Sequence, residues 1–177
     1  FRNNYENALS KLPFISSGVI INRVEVWITN KRGTFDQARN VLALMDLAET
    51  DSIDNPHWQP TGGKKIPYNK ANTLYDEVTA IDGMRDVKQS NALLASHYGG
   101  YNINGGEDYE KIESARRLDP SEFTFNQSLG YISLRSSLYP DEVLAVAYEY
   151  SYEGNVYQVG EFSTDGITAP NALVLKL

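Results

Sequence analysis

The clearest pattern near the start of the chain is an alternation of apolar and polar residues over positions 20–29. Its two faces carry Val24, Val26 and Ile28 on one side and Arg23, Glu25 and Thr29 on the other. This period of two is typical of a β-strand with one buried face. Trp27 shares the polar face, so we expect that face to be partly covered as well.

The last third of the chain, residues 118–177, predicts an antiparallel meander. The expected strands are 122–126, 131–135, 142–152 and 155–162, separated by turns at intervals of about 8–12 residues. Strand 142–152 is apolar on both faces, since Val146 and Tyr148 alternate with Ala145 and Ala147. We therefore expect this strand to be central and covered on both sides.

Residues 34–47 are ambiguous between helix and strand. Thr34 and Gln37 have the spacing of a capping box, which favours a helix. The following run NVLALMDL has the length of a buried strand, and periodicity alone cannot distinguish the two. We predict a short helical turn at 34–38 and a strand at 41–47, with the helical alternative left open.

The middle of the chain predicts loops and short helices. Residues 51–65 are polar and rich in turn formers, which indicates a long exposed loop. Helices are expected within 70–96 and over 108–117, where apolar residues recur at helical spacing. Together with the strands, this predicts an α+β to mainly β fold, with an antiparallel sheet that forms a sandwich or is covered by short helices on one face.

The same pattern predicts a single soluble domain over residues 1–177. Its parts are N-terminal strands at 18–50, a helical and loop insert at 66–117, and the meander at 118–177. The sequence begins with Phe1 and ends on the apolar run NALVLKL, so we expect a segment excised from a larger protein. No apolar run is long enough for a membrane helix.

Composition excludes several classes of function. The chain has 177 residues, a net charge of −7 and no Lys/Arg-rich run, which argues against nucleic acid and against anionic lipid as partners. It has no cysteine, which excludes disulfides and thiolate metal sites. Hydrophobic residues make up 41%, as in ordinary globular domains.

The sequence offers no recognisable chemistry. Its two histidines, His57 and His97, are forty residues apart and do not form a metal-binding pair. The glycine loop 98–106 lacks the ending of a phosphate loop, and the acidic turns lack the spacing of a calcium loop. We therefore predict no catalytic residue, no metal and no cofactor. A hydrolase remains an alternative that would need two clustered, buried carboxylates.

The unusual feature is aromatic content, with twelve tyrosines and two tryptophans. Trp58, in a proline-flanked loop, and Tyr98 and Tyr101, in the glycine loop, are candidates for contact with a protein partner or for stacking on a glycan. The alternative is that these rings pack against the sheet.

Four strings in order resemble a known family. They are NRVEVWITNKRG, ARNVLALMDLAET, the long block from SARRLDPSEF to YQVGEF, and PNALVLKL. These strings resemble the SprA/Sov family of very large outer-membrane proteins of the Bacteroidota, which are associated with gliding motility and the cell surface. The resemblance covers about residues 19–177, and loops 51–70 and 98–108 do not contribute to it. Ala48 stands where glycine is common in the family.

The resemblance implies a place in protein secretion. SprA-like proteins form the outer-membrane translocon of the type IX secretion system, a giant β-barrel. This chain would be a portion that does not span the membrane, exposed at the periplasmic or extracellular face. Its expected partners are the rest of the barrel protein, accessory outer-membrane secretion subunits and secreted cargo. The family implies no catalytic residues. A carbohydrate-binding module of a bacterial surface protein is the alternative.

Overall fold

The computed structural model describes residues 2–10, 13, 17–31, 33, 35–62 and 65–177. The helices are α1 (Arg2–Leu9), α2 (Leu74–Ala80) and α3 (Ser90–Tyr98), and a 3₁₀ turn follows at Gly99–Tyr101. The strands are β1 (Val19–Ile28), β2 (Arg39–Leu44), β3 (Tyr109–Arg117), β4 (Phe123–Phe125), β5 (Ile132–Leu134), β6 (Leu144–Tyr152), β7 (Asn155–Val159) and β8 (Leu173–Lys176).

Five of the strands close into a barrel-like sheet. Their order is β1–β3–β2–β8–β6, and β6 pairs back with β1 along the whole length of β1. Strand β7 extends the sheet as a hairpin with β6. Of these pairings only β2–β8 is parallel. The prediction of a β-rich, mainly antiparallel class is confirmed. The predicted sandwich is wrong, because the sheet closes on itself.

The predicted helix at 108–117 is wrong, because these residues form β3. A bulge explains the error. Arg39 faces Ala115 and Val41 faces Ile112, so β3 has one residue more than β2 between these pairs. Ser114 has a φ of 51° and its N–H donates to the Asn40 Oδ1 at 3.0 Å. The extra residue brings Ile112 and Ala115 to the same face, and their spacing of three imitates a helix.

The C-terminal apolar run is strand β8, which the sequence did not predict as a strand. It lies between β2 and β6 in the closed sheet, and Leu173 and Leu175 are fully buried inside the barrel. The meander predicted over 118–177 is therefore interrupted. Strands β4 and β5 form a separate two-stranded sheet, and β8 completes the barrel beside β2.

The polar face of β1 points into the barrel. Trp27 belongs to the apolar cluster of the interior, and Glu25 on the same face is only 5% exposed. The opposite face is also covered, because Val26 and Ile28 pack under the β4–β5 hairpin. The second half of β1, residues 25–28, is therefore buried on both faces, which is more than the partial cover that the sequence predicted for the Trp27 face, whereas Ile20 and Asn22 in the first half are exposed.

Two layers cover the outside of the barrel. On one side α2 and α3 pack on the outward residues of β2 and β8, in a cluster that includes Leu42 and Val174. On the other side the β4–β5 hairpin packs on β1 and β6, where it contacts Val146. Ala145 and Ala147 of β6 face the interior. The prediction that this strand is covered on both faces is confirmed.

The ambiguous segment 34–47 resolves into a turn and a strand. Residues 36 and 37 form a turn, in which Gln37 has a φ of 61° and the Ala38 N–H donates to the Phe35 carbonyl. The predicted helical turn is therefore wrong over residues 35–38, and Thr34 lies outside the described residues. The predicted strand is confirmed with earlier bounds, as β2.

The helical insert is shorter than predicted and its first loop is partly packed. Helices α2 and α3 fall within the predicted 70–96, whereas residues 109–117 belong to the barrel. In the loop expected to be exposed, Asn55 and Trp58 are buried. Asp46 holds this loop in place, since its carboxylate accepts the N–H groups of Asp54 and Asn55 at 2.8 Å. No helix of the described residues is long and apolar enough to cross a membrane.

Candidate functional site

A buried ion pair connects the helical insert to the barrel. Glu161 follows β7 and is 2% exposed. The Arg85 guanidinium donates to both of its carboxylate oxygens, at 2.8 and 2.6 Å. The Tyr75 hydroxyl donates to Glu161 at 2.7 Å, and the Val174 N–H at 2.8 Å. This carboxylate therefore connects three parts of the chain, which are α2, the segment that follows α2, and β8.

The electrostatics of this pair follow from its burial. The hydrogen bonds from Arg85 to Glu161 raise the pKa of the Arg85 guanidinium above its usual value, against the opposing effect of burial. Burial and the charge of Glu161 raise the pKa of the Tyr75 hydroxyl. Arg85 therefore stays charged and Tyr75 stays a donor throughout the physiological range, which suits a structural connection.

A second buried carboxylate, Glu25, lies at one end of the barrel. It accepts from Arg23 Nη2 at 2.6 Å, from Arg117 Nη1 at 3.4 Å, and from the Ser163 N–H and hydroxyl at 2.9 Å each. Burial raises the pKa of Glu25, but the hydrogen bonds from Ser163 and Arg23 and the charge of Arg117 outweigh it. The net pKa is lowered, so the carboxylate is ionised at neutral pH.

The three aromatic residues singled out from the sequence lie together. The rings of Trp58 and Tyr98 have centroids 5.0 Å apart, and His57 lies between this pair and Tyr101. The His57 and Tyr101 rings are stacked with centroids 3.9 Å apart. His57 Nε2 also lies 3.1 Å from a carboxylate oxygen of Glu77 on α2.

Exposure divides the three aromatic residues. Trp58 is 4% and Tyr98 6% exposed, and both belong to the apolar cluster beneath the helical insert. Burial, together with the charge of Glu77, raises the pKa of Tyr98 to about 12. Tyr101 is 50% exposed and is the one of the three whose ring is available to a ligand. Contact with a protein partner or a glycan stays a prediction, and Tyr101 is the candidate residue that remains for it.

Both histidine rings lie near Tyr98, with centroids 5.4 Å from it for His57 and 6.2 Å for His97, but their nitrogens have different partners. His57 Nε2 lies near Glu77, whereas His97 Nδ1 lies 2.9 Å from the Leu93 carbonyl on the exposed face of helix α3. The described residues contain no group of three or more His, Cys, Asp or Glu side chains that could hold a metal ion.

The described residues form several surface clefts, of which three bear on the site. One of about 270 Å³ lies between Lys31, Arg116 and Tyr139 at one end of the barrel. An apolar one of about 220 Å³ lies between the hairpin and the insert, over Val146 and Tyr148. The third, of about 360 Å³, lies beside β1 and includes Arg23 and Arg117.

Sequence reasoning missed the buried charges. Glu25 stands inside the apolar run VEVWI and Glu161 inside VGEF, and a lone charge within a strand pattern is a signal of a buried partner. That signal could have identified both acids. It could not have identified Arg85, which lies 76 residues before Glu161 in a polar segment.

No protein-family model matches this chain, and no curated protein matches it either.

Proposed function

We propose that this chain is a non-catalytic structural and interaction module of a large outer-membrane translocon of the type IX secretion system, at the periplasmic or extracellular face. The observation that carries the proposal is where the resembling strings fall in the fold. They contain most of β1, all of β2, the end of β3, the β4–β5 hairpin, β6, β7 and β8. The loops 51–70 and 98–108, which do not resemble the family, lie outside the sheet.

The buried charges support a structural role. Glu25 and Glu161 each have several donors on separate chain segments, so each carboxylate is already committed to holding the fold. The resembling block also contains the Arg116–Glu122 pair, 2.5 Å long, at the base of the hairpin. A resemblance that includes such connections is what a shared domain framework would produce.

The expected partners are the rest of the barrel protein, accessory outer-membrane subunits and secreted cargo. Contacts within the full protein gain from a high effective concentration, so those of the isolated chain should be weak. The test is to replace residues 18–177 of the full-length protein by a Gly/Ser linker. Cargo secretion and assembly of the barrel in the outer membrane are then measured. If both stay intact, the proposal is wrong.

A carbohydrate-binding module is the second candidate, and the half-exposed Tyr101 ring favours it. Its ring is stacked on His57, which would hold it rigid for contact with a sugar face. The nearby Trp58 provides the signal for a fluorescence titration with polysaccharides. Saturable binding that Tyr101→Ala removes would support this candidate over the first. Binding that persists in Tyr101→Ala would exclude the Tyr101 platform.

A further inference from the structure

Strand β1 pairs with β3 at two positions, both at its C-terminal end. The pairs are Trp27 with Arg117 and Ile28 with Arg116. One more backbone hydrogen bond follows, from the Leu118 N–H to the Val26 carbonyl at 2.8 Å. Earlier in β1, this edge is bonded again at Ile21, whose N–H donates to the Gln127 carbonyl at 2.9 Å, so the unpaired part of the edge is confined to the residues around Val24.

Pro120 explains why this ladder stops. The same register would place Pro120 opposite Val24, and proline has no N–H to donate. The chain turns instead, and the Glu122 N–H donates to the Asp119 carbonyl at 2.8 Å. The result is a short break in the closed sheet beside Val24.

The backbone groups of Val24 point into this break. Hydrogen-bonding direction alternates along an antiparallel strand, so Val24 points the same way as Val26, away from β6. The Val26 carbonyl is taken by Leu118. No backbone bond on that side joins the Val24 N–H or carbonyl to another of the described residues. Within the described part of the chain, Val24 therefore presents a donor and an acceptor without a backbone partner at a strand edge.

The cleft of about 360 Å³ lies at this edge, and its two sides differ in chemistry. Arg23 and Arg117 lie on the inward side, with side chains 41% and 37% exposed. Val24 and Phe123 lie on the outward side and belong to the apolar cluster of the hairpin. A strand placed here would meet cations on one face and apolar surface on the other.

The buried carboxylate of Glu25 holds the two arginines in position. Buried Glu25 accepts from both guanidiniums, so two positive charges share one buried negative charge. The other acid of the cleft, Asp119, accepts the Ser121 N–H at 2.8 Å in its own turn. The arginines therefore provide a preorganised site for a further carboxylate.

We propose that this edge of β1 binds a short extended peptide segment of a partner protein, in which an acidic residue is flanked by apolar residues. The segment adds a strand beside Val24 through main-chain hydrogen bonds. Its acidic side chain faces Arg23 and Arg117, and its apolar neighbours face Phe123, because alternate side chains of a strand point to opposite faces. This site deepens the interaction role proposed above and rests on it.

The test is a peptide titration of the 177-residue chain followed by NMR of its backbone amides. The probe is acetyl-Thr-Val-Asp-Val-Thr-amide, and the comparison peptide has Lys in place of Asp. We expect saturable shifts at Val24, Leu118 and Phe123, with a Kd at least tenfold lower for the Asp peptide. Equal affinities, or shifts confined to other surfaces, overturn the site.

Two variants sharpen the test. Val24→Pro removes the outward N–H without touching the β6 ladder and should abolish binding. Its matched control is Val156→Pro on the edge of β7, where the N–H also points away from β6 and which should bind as the wild type does. Should Val24→Pro fail to fold, Arg23→Gln should reduce the preference for Asp over Lys at least threefold. Unchanged binding in Val24→Pro, or an unchanged preference in Arg23→Gln, overturns the proposal.

Self-association is the remaining outcome. Amide signals of Val24 and Leu118 that broaden with protein concentration, in the absence of peptide, would mean that a second copy occupies the edge, and this would overturn the proposal. A failed titration leaves the linker-replacement experiment unaffected, so the peptide site and the secretion role can fail separately.

Discussion

The guanidinium of Arg85 donates two hydrogen bonds to the buried carboxylate of Glu161, and this pair joins the helical insert to the barrel. The Glu161 side chain is 3% exposed and the Arg85 side chain 26%, so the carboxylate is shielded from solvent and the guanidinium largely so. The pair therefore adds a buried polar connection to the apolar packing that already joins the insert to the barrel.

Breaking this pair should be costly. Arg85→Met leaves the Glu161 carboxylate buried without its cation, and we expect the free energy of unfolding to fall by about 3–5 kcal/mol. Urea denaturation followed by circular dichroism measures this. The control is Lys70→Met, which removes the exposed Lys70–Asp76 pair and should cost less than about 1 kcal/mol. A loss below about 1 kcal/mol in Arg85→Met would contradict the assigned role.

Glu25 should contribute a pH-dependent part of the stability. Its pKa in the folded protein lies below the ordinary value of 4.5, so the folded state favours the ionised form. This contribution is fully present above pH 4.5 and is lost as the pH falls through the folded pKa. The difference in unfolding free energy between wild type and Glu25→Gln should therefore be largest at neutral pH and shrink below pH 4.5.

The matched control for Glu25 is Glu113→Gln, whose side chain is 58% exposed. At neutral pH we expect this variant to be nearly as stable as the wild type. A Glu25→Gln variant with a stability difference that grows on acidification would show that the sign of the pKa shift is wrong.

Gly160 should resist substitution more than other turn glycines do. It has a φ of +72°, and a Cβ there would lie 3.0 Å from the Val146 carbonyl oxygen and 3.2 Å from Ala147. Gly154 has a φ of +77° but nothing within 4 Å. Gly154→Ala should cost about 1 kcal/mol for the left-handed backbone alone. Gly160→Ala should cost clearly more, and thermal unfolding of the two variants measures the difference. Equal costs would contradict the close approach.

Trp58 should be a core residue rather than a binding residue. Trp58→Ala removes a buried ring from the cluster beneath the insert, and we expect a loss of about 3–5 kcal/mol in the free energy of unfolding. Tyr101→Ala, at a half-exposed ring, should cost much less. Denaturant unfolding of both variants separates the two roles. A Trp58→Ala variant that stays close to wild-type stability would return this residue to the list of surface candidates.

The strands with regular alternation or clear turns could be predicted from sequence, as β1, β4, β5 and β6 illustrate. The bulge at Ser114 could not, because one inserted residue turns an alternating pattern into a spacing of three. Closure of the sheet into a barrel also could not be predicted from the sequence. It depends on pairs such as Val26 with Val146, which are far apart in the chain.

The candidate site also could be predicted from the sequence only in part. Composition pointed to Trp58, Tyr98 and Tyr101, and the fold does bring them together, but burial could not be predicted from loop context. The break beside Val24 arises from a single proline at a position that only the register reveals. The residues that form this break can be read from the sequence, but the register that brings them together cannot.

We propose that this domain serves secretion through an intact fold, and point variants of the full-length protein test this role most directly. Arg85→Met keeps the chain length and connectivity, and Lys70→Met is its control. The measurement is the amount of secreted cargo per barrel protein assembled in the outer membrane. We expect Arg85→Met to lower this ratio severalfold and Lys70→Met to leave it unchanged. Wild-type secretion by an Arg85→Met protein whose isolated domain is shown to be unfolded would contradict the claim.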